Sequence, residues 1–333
     1  MSALVTRNPA VDGQQHYEEV FPFVYQLETG GVSLADATTW AANNAPRLVE
    51  ELSRHGAILF RGFPIDGAED FDAFIRAFGL DSFTYEESLS NAVRINKTDL
   101  VFTANEAPPE VSIFLHHEMA QTPLFPSRLF FCCEIAAEKA GQTPLCRSDI
   151  VLEHLRRDAP EFVDALERLG VKYSNTMPAN DDPESGQGRS WMSTLSVDTR
   201  EAAEARLTDL GYSYQWLDDG SLRATTPALP AIRELKDGRK VFFNQLIAAF
   251  RGWKDAEKDP TRVISYGDGS AIDVAGMQRA IELGDEYIFD LAWQAGDVAL
   301  VDNFLVMHGR RPFEGKRRVL VSLVADDGSR LAA

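Results

Sequence analysis

Apolar residues recur along the chain in two patterns, one with helical spacing and one in short runs typical of strands. The helical spacing predicts helices near the start and in the middle of the chain. Between residues 33 and 54, apolar side chains recur at helical spacing after a capping serine, so we predict a helix there, kinked or divided at Pro46. The same spacing predicts a helix over 70–78 and a pair of helices over 149–169, divided near Pro160. Each of these segments has one apolar face to bury.

Short apolar runs bounded by turn residues predict strands over most of the remaining chain. The predicted strands lie at 57–60, 91–118 with a loop at 105–109, 128–134, 171–177, 212–217, 222–226, 240–245, 286–292, 297–303 and 318–325. Helices cluster in the first quarter and in insertions, and no alternation of strand and helix is present. We therefore predict a mostly β protein with α, in which an antiparallel double-sheet core of the jelly-roll kind carries flanking helices.

Composition and charge narrow the partners of this chain. The net charge is −18 without a basic tract, which argues against a nucleic-acid partner because phosphates require Lys and Arg. No window approaches the ~18 apolar residues of a membrane span, so we predict no membrane partner. Three cysteines without spaced pairs indicate a reducing compartment, and the first 15 residues lack an apolar signal region. We predict a cytoplasmic protein.

Two distant segments together contain the side chains of one metal site. An apolar run leads into His116-x-Glu118, where the two-residue period of a strand places both side chains on one face. His308 follows the predicted strand 297–303 and is the sensible distal ligand, because the remaining distant histidines lie in a tail or on helices among charged residues: His16, His55 and His154. Two imidazoles and one carboxylate form a facial triad that holds Fe(II) and leaves coordination positions open.

Each half of this triad also has an ordinary structural interpretation. A surface histidine beside a solvated glutamate gives His-x-Glu by chance, and a single histidine after a buried strand is usually a hydrogen-bonded core residue.

Two other functions use the same three side chains or the same fold. One is a zinc or iron hydrolase, because zinc takes such ligands with a water molecule as nucleophile. The other is a non-catalytic binding protein.

An arginine near the end of the chain predicts an anion site. Arg318 enters the apolar run 319–323, and a buried guanidinium requires a negative partner, which it holds through a two-point fork. A keto acid that chelates the metal at one end and reaches Arg318 at the other explains both features. Arg317 is the alternative if the strand register differs by one residue, because one residue reverses the face. An arginine at the rim, paired with a surface glutamate, is the ordinary alternative.

Several segments together resemble the taurine dioxygenase (TauD/TfdA) superfamily of Fe(II)- and 2-oxoglutarate-dependent dioxygenases, in its clavaminate synthase-like branch. The matching segments are 103–120, 128–134, 141–145 and 301–313 with the following arginine pair. The resemblance implies a double-stranded β-helix core in a single domain over 1–333, with a helical buttress at about 1–80 and an insertion at about 150–240. It also implies iron ligation by His116, Glu118 and His308, and 2-oxoglutarate binding by Thr143 and Arg318.

The same resemblance implies a reaction but leaves the substrate broad. We expect O₂-dependent hydroxylation of an unactivated C–H bond in a small amino acid or amino-acid-derived substrate, with release of succinate and CO₂. The substrate can be free or bound to a carrier protein, and the sequence makes no prediction of oligomeric state. Asn105, Glu106 and Asn244 are the predicted substrate contacts, with strand capping as their alternative role. Ser322, four residues after Arg318, stands where some relatives have a second arginine, which argues against a taurine-like sulfonate.

Overall fold

The structure is a computed structural model of the chain. It describes residues 5–28, 31–83, 89–90, 92–182, 188–253, 259 and 262–324. The helices of this part are α1 Leu34–His55, α2 Ala68–Arg76, α3 Ser148–Asp158, α4 Pro160–Leu169, α5 Trp191–Leu195, α6 Arg200–Asp209, α7 Leu246–Gly252 and α8 Val274–Glu286. The strands are β1 Val5–Arg7, β2 Gln15–His16, β3 Val20–Phe21, β4 Phe23–Leu27, β5 Ala57–Arg61, β6 Ser82–Phe83, β7 Phe102–Thr103, β8 Ile113–His116, β9 Arg128–Ile135, β10 Lys139–Ala140, β11 Thr143–Arg147, β12 Val171–Met177, β13 Ser213–Trp216, β14 Leu222–Thr225, β15 Arg233–Glu234, β16 Lys240–Val241, β17 Ile264–Tyr266, β18 Ile288–Leu291, β19 Val298–Asp302, β20 Val306–Arg310, β21 Phe313–Glu314 and β22 Arg318–Val324.

The predicted helices form with local signals at their ends. At the start of α1, the Ser33 side chain accepts from the Asp36 backbone N–H, and the Asp36 carboxylate accepts from the Ser33 backbone N–H. This reciprocal cap satisfies two donors that the first helical turn leaves free. Pro46 lies inside α1, which remains one helix. The predicted pair over 149–169 is divided as expected, with Pro160 as the first residue of α4.

The largest sheet has eight strands, and β9 lies near its centre. The order is β1-β4-β5-β19-β9-β22-β6, and β7 also pairs with β22. Only β4 and β5 run parallel; the other pairs are antiparallel. One face of this sheet packs against α1 and α2, where Leu320 and Val324 join an apolar cluster with helix residues.

A four-stranded antiparallel sheet in the order β18-β11-β20-β8 forms the second layer that matters for the site. Strands β20 and β8 approach each other closely at Gly309. A Cβ atom at this position would lie 2.4 Å from the Ile113 carbonyl oxygen. Apolar side chains of both sheets, among them Leu129, Leu145 and Val321, form one cluster between them. Removal of each such side chain from water contributes about 1.5–3 kcal/mol, so this interface is a main source of stability.

Within the described residues, the architecture confirms the coarse prediction of a sheet-rich protein with helices outside the sheets. A further antiparallel sheet, β13-β14-β12-β17, lies in the region after α4. The predicted strand segment 91–118 is less regular than expected, since β7 and β8 are the strands that form among its described residues. In the described chain, no helix combines the length and apolar character required to cross a membrane. The prediction of a single domain over 1–333 stays a prediction.

Candidate active site

His116, Glu118 and His308 converge between β8 and β20. One ligand atom from each lies within 4.8 Å of the other two. His116 and His308 are directly opposed in the antiparallel register, and their ring centres are 4.3 Å apart. Residues 192 positions apart therefore meet because their two strands are neighbours, as the sequence predicted.

Local contacts fix the tautomer of His116. Its Nδ1 lies 2.8 Å from the carbonyl oxygen of Phe114, which makes Nδ1 the donor and leaves the Nε2 lone pair free. Burial, together with the nearby His308, lowers the pKa of His116 to about 4. The imidazole is therefore neutral at physiological pH, which is the state that binds a metal ion.

Glu118 is held as an ionised carboxylate. Its Oε1 accepts from Arg94 Nη2 at 2.8 Å, and its Oε2 lies 3.5 Å from His308 Nε2. Burial alone would raise the pKa of Glu118, but the Arg94 guanidinium and His308 hold it below its usual range. Both oxygens thus face cationic or metal-ligating groups, and the carboxylate carries its charge at neutral pH.

Asn303 fixes the backbone at Glu118, which lies beyond the end of β8. Asn303 is fully buried; its Oδ1 accepts from the Glu118 N–H at 2.7 Å. Its Nδ2 donates to the carbonyl oxygens of Glu118 at 3.0 Å and Pro126 at 2.7 Å. The side chain replaces the strand partner that Glu118 lacks, so it positions a metal-binding carboxylate outside regular structure.

The donor set fits a ferrous ion. Two imidazoles and one carboxylate on one side of a cavity match the facial triad of non-haem iron oxygenases, which leaves positions free for other ligands. In the described part of the chain, no other group of three His, Cys, Asp or Glu side chains comes together in this way. All three cysteines are buried with raised pKa values, chiefly through burial, so they are not thiolate ligands.

The triad opens into a cavity of about 270 Å³ between the two sheets. The four-stranded sheet contributes polar lining residues, including Thr143 and Arg310 beside the two histidines. The eight-stranded sheet contributes Phe131, Val319 and Val321. The wall formed by the four-stranded sheet thus carries the metal ligands and polar groups beside Ile113 and Phe114, and the wall formed by the eight-stranded sheet is apolar.

Arg317 and Thr143 lie next to each other in the lining of this cavity. Arg317 Nε donates to the Gly141 carbonyl oxygen at 2.8 Å, and Nη2 donates to Thr143 Oγ1 at 3.3 Å. Trp293 Nε1 also donates to Thr143 Oγ1, at 2.8 Å. Since a hydroxyl group has two acceptor sites and one donor, the proton of Thr143 remains available for a ligand.

A second guanidinium, that of Arg310, strengthens the need for an anion. Arg310 donates to the backbone carbonyls of residues 105, 107, 108 and 111, and its buried Nε has no partner among the described residues. Burial and the nearby Arg310 lower the pKa of Arg317 to about 10. Neither arginine forms an ion pair within the part of the chain that the structure describes. A buried cation, Arg310, beside a partly buried one, Arg317, favours a bound carboxylate.

The prediction that Arg318 enters the cavity is wrong, and Arg317 takes that place. The Arg318 side chain is 43% exposed and pairs with Glu134. Val319 and Val321 line the cavity, so the alternation of the strand places Arg317 on their face and Arg318 on the other. The pairing of β22 with β9 is irregular between Arg318 and Val319.

Because Arg317 and not Arg318 faces the cavity, the position to compare with the second arginine of some relatives is Val321 and not Ser322. Ser322 is buried on the face that packs toward the helices and does not line the cavity. Val321 lines it instead, four residues after Arg317. This chain therefore has an apolar residue, Val321, at the cavity position four residues after its inward-facing arginine.

The three predicted substrate contacts have different positions. Asn105 lines the cavity, although its Oδ1 also accepts from the Ala107 N–H at 3.0 Å. Glu106 is exposed and is not part of the cavity lining. Asn244 is buried elsewhere, where it donates to the Ala231 carbonyl and accepts from the Leu246 N–H. The prediction that Glu106 and Asn244 line the cavity is therefore wrong. Glu106 is exposed, and the side-chain amide of Asn244 is used in hydrogen bonds with Ala231 and Leu246.

Sequence reasoning missed several residues of the site. Arg310 could have been found, because it lies two positions after His308 on the same strand and hence on the same face. Arg94, Asn303 and Trp293 lie outside the motifs or in connecting segments, and no periodic signal links them to the triad. Gln121, which also lines the cavity, is three residues after Glu118 in a turn.

Comparisons with known proteins agree with this site. The family described as "Taurine catabolism dioxygenase TauD, TfdA family" matches residues 19–324. A clavaminate synthase-like protein of Arabidopsis thaliana is 38% identical over 330 residues, covering 97% of this chain and 99% of the relative. The dapdiamide synthesis protein DdaC of Enterobacter agglomerans is 29% identical over 289 residues, covering 83% and 84%.

Solved structures share the fold at low identity. PvcB of Pseudomonas aeruginosa, described as an Fe, α-ketoglutarate-dependent oxygenase, has a TM-score of 0.52 at 14% identity, covering 92% of this chain and 86% of its own. An asparagine oxygenase in complex with Fe(II), 3-hydroxyasparagine and succinate has a TM-score of 0.54 at 13% identity, covering 88% and 83%.

The chain belongs to the TauD, TfdA dioxygenase family. This confirms the predicted resemblance, the predicted enzyme class of 2-oxoglutarate-dependent dioxygenases, and Fe(II) and 2-oxoglutarate as cofactor and co-substrate. A small-molecule substrate and O₂ as reaction partners fit this family.

Proposed function

We propose that this protein hydroxylates an unactivated C–H bond of a small amino acid or amino-acid-derived substrate, with conversion of 2-oxoglutarate and O₂ to succinate and CO₂. His116, Glu118 and His308 hold the iron, and Arg317 with Thr143 binds the distal carboxylate of 2-oxoglutarate. We further propose that the eight-stranded and four-stranded sheets are the two halves of a double-stranded β-helix. The predictions of a carrier-bound substrate, of a cytoplasmic location and of no nucleic-acid partner stay predictions.

One observation carries the proposal: the metal triad shares a cavity with Arg317, which has no carboxylate partner among the described residues. The hydrolase alternative requires the triad alone and gives no role to Arg317, Arg310 or the free proton of Thr143. A dicarboxylate that chelates the metal with one end requires a cation and a hydroxyl donor for the other end. Arg317 and Thr143 supply both on neighbouring elements of the cavity wall.

The chain's own residues position the reactants and keep water out. Ferrous iron, when bound, supplies the activation of O₂. Glu118 keeps its charge through Arg94, and His116 keeps its lone pair through the Phe114 carbonyl. Phe131, Val319 and Val321 present no polar group to the cavity, so they shape it and exclude water.

The size of the cavity and the relatives support a small, nitrogen-containing substrate. About 270 Å³ must accommodate 2-oxoglutarate as well as the substrate, at the lower end of ligand pockets. The asparagine oxygenase of similar fold was solved with a hydroxylated amino acid, and DdaC is named for dapdiamide synthesis. These names favour amino-acid chemistry for the present chain.

The experiment is an anaerobic titration followed by turnover. We expect that Fe(II) and 2-oxoglutarate together give a visible charge-transfer band, and that O₂ then yields succinate at a low rate without substrate. The Zn(II)-loaded protein is the matched control and is expected to give neither. Hydrolysis of ester or amide substrates by the Zn(II) form, without any effect of 2-oxoglutarate, would support the hydrolase instead. Absence of both signals would leave only a binding protein.

A further inference from the structure

Arg94 lies beside the metal triad, and most of its hydrogen-bonding capacity is unused. Its side chain is 7% exposed, and only its Nη2 donates to Glu118. The buried Nε and Nη1 have no hydrogen-bond partner among the residues that the structure describes. The guanidinium carbon lies 5.2 Å from the ring centre of Phe102, which offers no oxygen acceptor. Because unpaired buried cationic donors cost free energy, an acceptor from a ligand is expected here.

A bound metal ion increases the need for an anion at Arg94. Glu118 is the one carboxylate among the described residues that line the cavity, whereas Arg94, Arg310 and Arg317 all line it. The metal ion shares the negative charge of Glu118, so Arg94 then has less compensation for its own charge. The proposed 2-oxoglutarate site lies at Arg317 and Thr143, and Arg94 contacts the cavity from the side of Glu118. An anionic group other than the distal carboxylate of 2-oxoglutarate is therefore expected beside Arg94.

Gln121 offers the complementary group, a hydrogen-bond acceptor. Its Oε1 is buried and lacks a partner in the described part of the chain. Gln121 lines the main cavity and also a smaller neighbouring cavity of about 50 Å³, which has apolar residues such as Leu89 and Met177 in its wall. An unpaired amide oxygen favours a ligand with an N–H group, and the apolar space favours a short hydrocarbon substituent.

We propose that the substrate carries a free carboxylate, which binds Arg94, and an N–H group, which donates to Gln121 Oε1. This inference rests on the proposed function and specifies its substrate class: a small α-amino acid or N-acylated amino acid. Nη2 belongs to both forked edges of the guanidinium, so the edge that Glu118 leaves free still presents two N–H groups to a carboxylate. A thioester to a carrier protein has no such carboxylate, so a substrate tethered through that carboxyl group is excluded.

The test measures binding rather than turnover. The protein is saturated with Mn(II) and N-oxalylglycine, an unreactive analogue of 2-oxoglutarate, and titrated calorimetrically. The probes are the L-amino acids, their N-acetyl derivatives, their α-carboxamides, their deaminated acids and their pantetheine thioesters. We expect at least one acid to bind, and its carboxamide and thioester to bind at least about 10-fold more weakly, because each loses a charge-assisted hydrogen bond.

Two variants then change two different ratios. Arg94→Gln is expected to reduce the acid-to-carboxamide ratio to near one, while Arg94→Lys retains part of it through its charge. Gln121→Leu is expected to reduce the preference for the amino acid over the deaminated acid and to leave the acid-to-carboxamide ratio unchanged. Arg318→Gln is the matched control, since Arg318 lies outside the cavity. A purely structural role of Arg94 would weaken metal binding but would not change a ratio measured at saturating metal.

The proposal is overturned if carboxamides or thioesters bind as tightly as the acids, if no acid binds, or if Arg94→Gln leaves the ratio unchanged. The proposed function fails separately. Its failure is the absence of the Fe(II)–2-oxoglutarate band and of O₂-dependent succinate in the wild-type protein, neither of which depends on the substrate.

Discussion

The two walls of the cavity are both built from antiparallel strands, yet they present opposite chemistry. The four-stranded sheet β18-β11-β20-β8 directs His116, Thr143, His308 and Arg310 into the cavity. The eight-stranded sheet directs Phe131, Val319 and Val321 into it. Arg317 lies directly before the first residue of β22 and adds a cation to the edge of this apolar wall.

This difference separates the sources of stability and of function. Apolar side chains of the large sheet gain free energy through burial, about 1.5–3 kcal/mol each. Polar side chains of the small sheet lose hydration and require partners, which they find in backbone carbonyls, in each other and, we propose, in metal and co-substrate. Substitutions on the two walls should therefore affect different measurements.

The largest expected effect is on the polar wall. His308→Ala removes one of three metal ligands, so we expect turnover to fall more than about 100-fold, beyond the range for residues that only support a ligand. Iron content and succinate formation measure it. Val321→Ala keeps the opposite wall apolar and is the control, with metal binding retained. Retention of more than a tenth of the activity in His308→Ala would contradict the assignment of the ligands.

The next effect compares two adjacent arginines. Arg317→Ala removes charge-assisted hydrogen bonds worth about 1.5–3 kcal/mol, so we expect the KM for 2-oxoglutarate to rise about 10- to 150-fold. Arg318→Ala removes an exposed ion pair with Glu134, and we expect the KM to stay within about twofold. Steady-state succinate formation at varied 2-oxoglutarate distinguishes them. A larger effect from Arg318 would reverse the assignment of the two faces.

A third prediction compares two buried asparagines. Asn303→Ala leaves the backbone groups of Glu118 unpaired, so we expect a loss of about 2–3 kcal/mol in the free energy of unfolding and about 10–100-fold in iron affinity. Asn244→Ala also removes buried hydrogen bonds but none to Glu118, so it should lower stability without the loss of iron affinity. Urea denaturation and anaerobic iron titration measure the two quantities. Equal iron affinities in both variants would argue against a positioning role of Asn303.

The smallest effect concerns the partly buried carboxyl group of Asp302, at the end of β19 in the eight-stranded sheet. Burial raises the pKa of Asp302 to about 6, above its unfolded value of about 3.8. The folded state therefore binds the proton more tightly, and this contribution to stability is complete below pH 3.8 and is lost as the pH rises through 6. Between pH 7.5 and 5, we expect the wild-type protein to gain about 1–1.5 kcal/mol relative to Asp302→Asn. Denaturation at both pH values measures it, and a constant difference would contradict the raised pKa.

The motifs predicted much of the site because they depend on local periodicity. The two-residue period of a strand predicts that His116 shares a face with Glu118, although Glu118 lies beyond the end of β8. The same period relates His308 to Arg310, a pair that was overlooked. The helices α1, α3 and α4 end where their capping residues and prolines lie. The choice between Arg317 and Arg318 was left open, because period two predicts that one of them faces inward but not which one.

The sequence by itself determined the donor set, the family and the alternation of faces, since these depend on residue type and on spacing within one strand. Tertiary structure decided that Arg317 rather than Arg318 enters the cavity, that Asn303 holds the backbone of Glu118, and that Arg94 lies against its carboxylate. The physical reason is that these three contacts join distant segments, and the register of sheet strands and the path of connecting loops are set by packing of the whole chain.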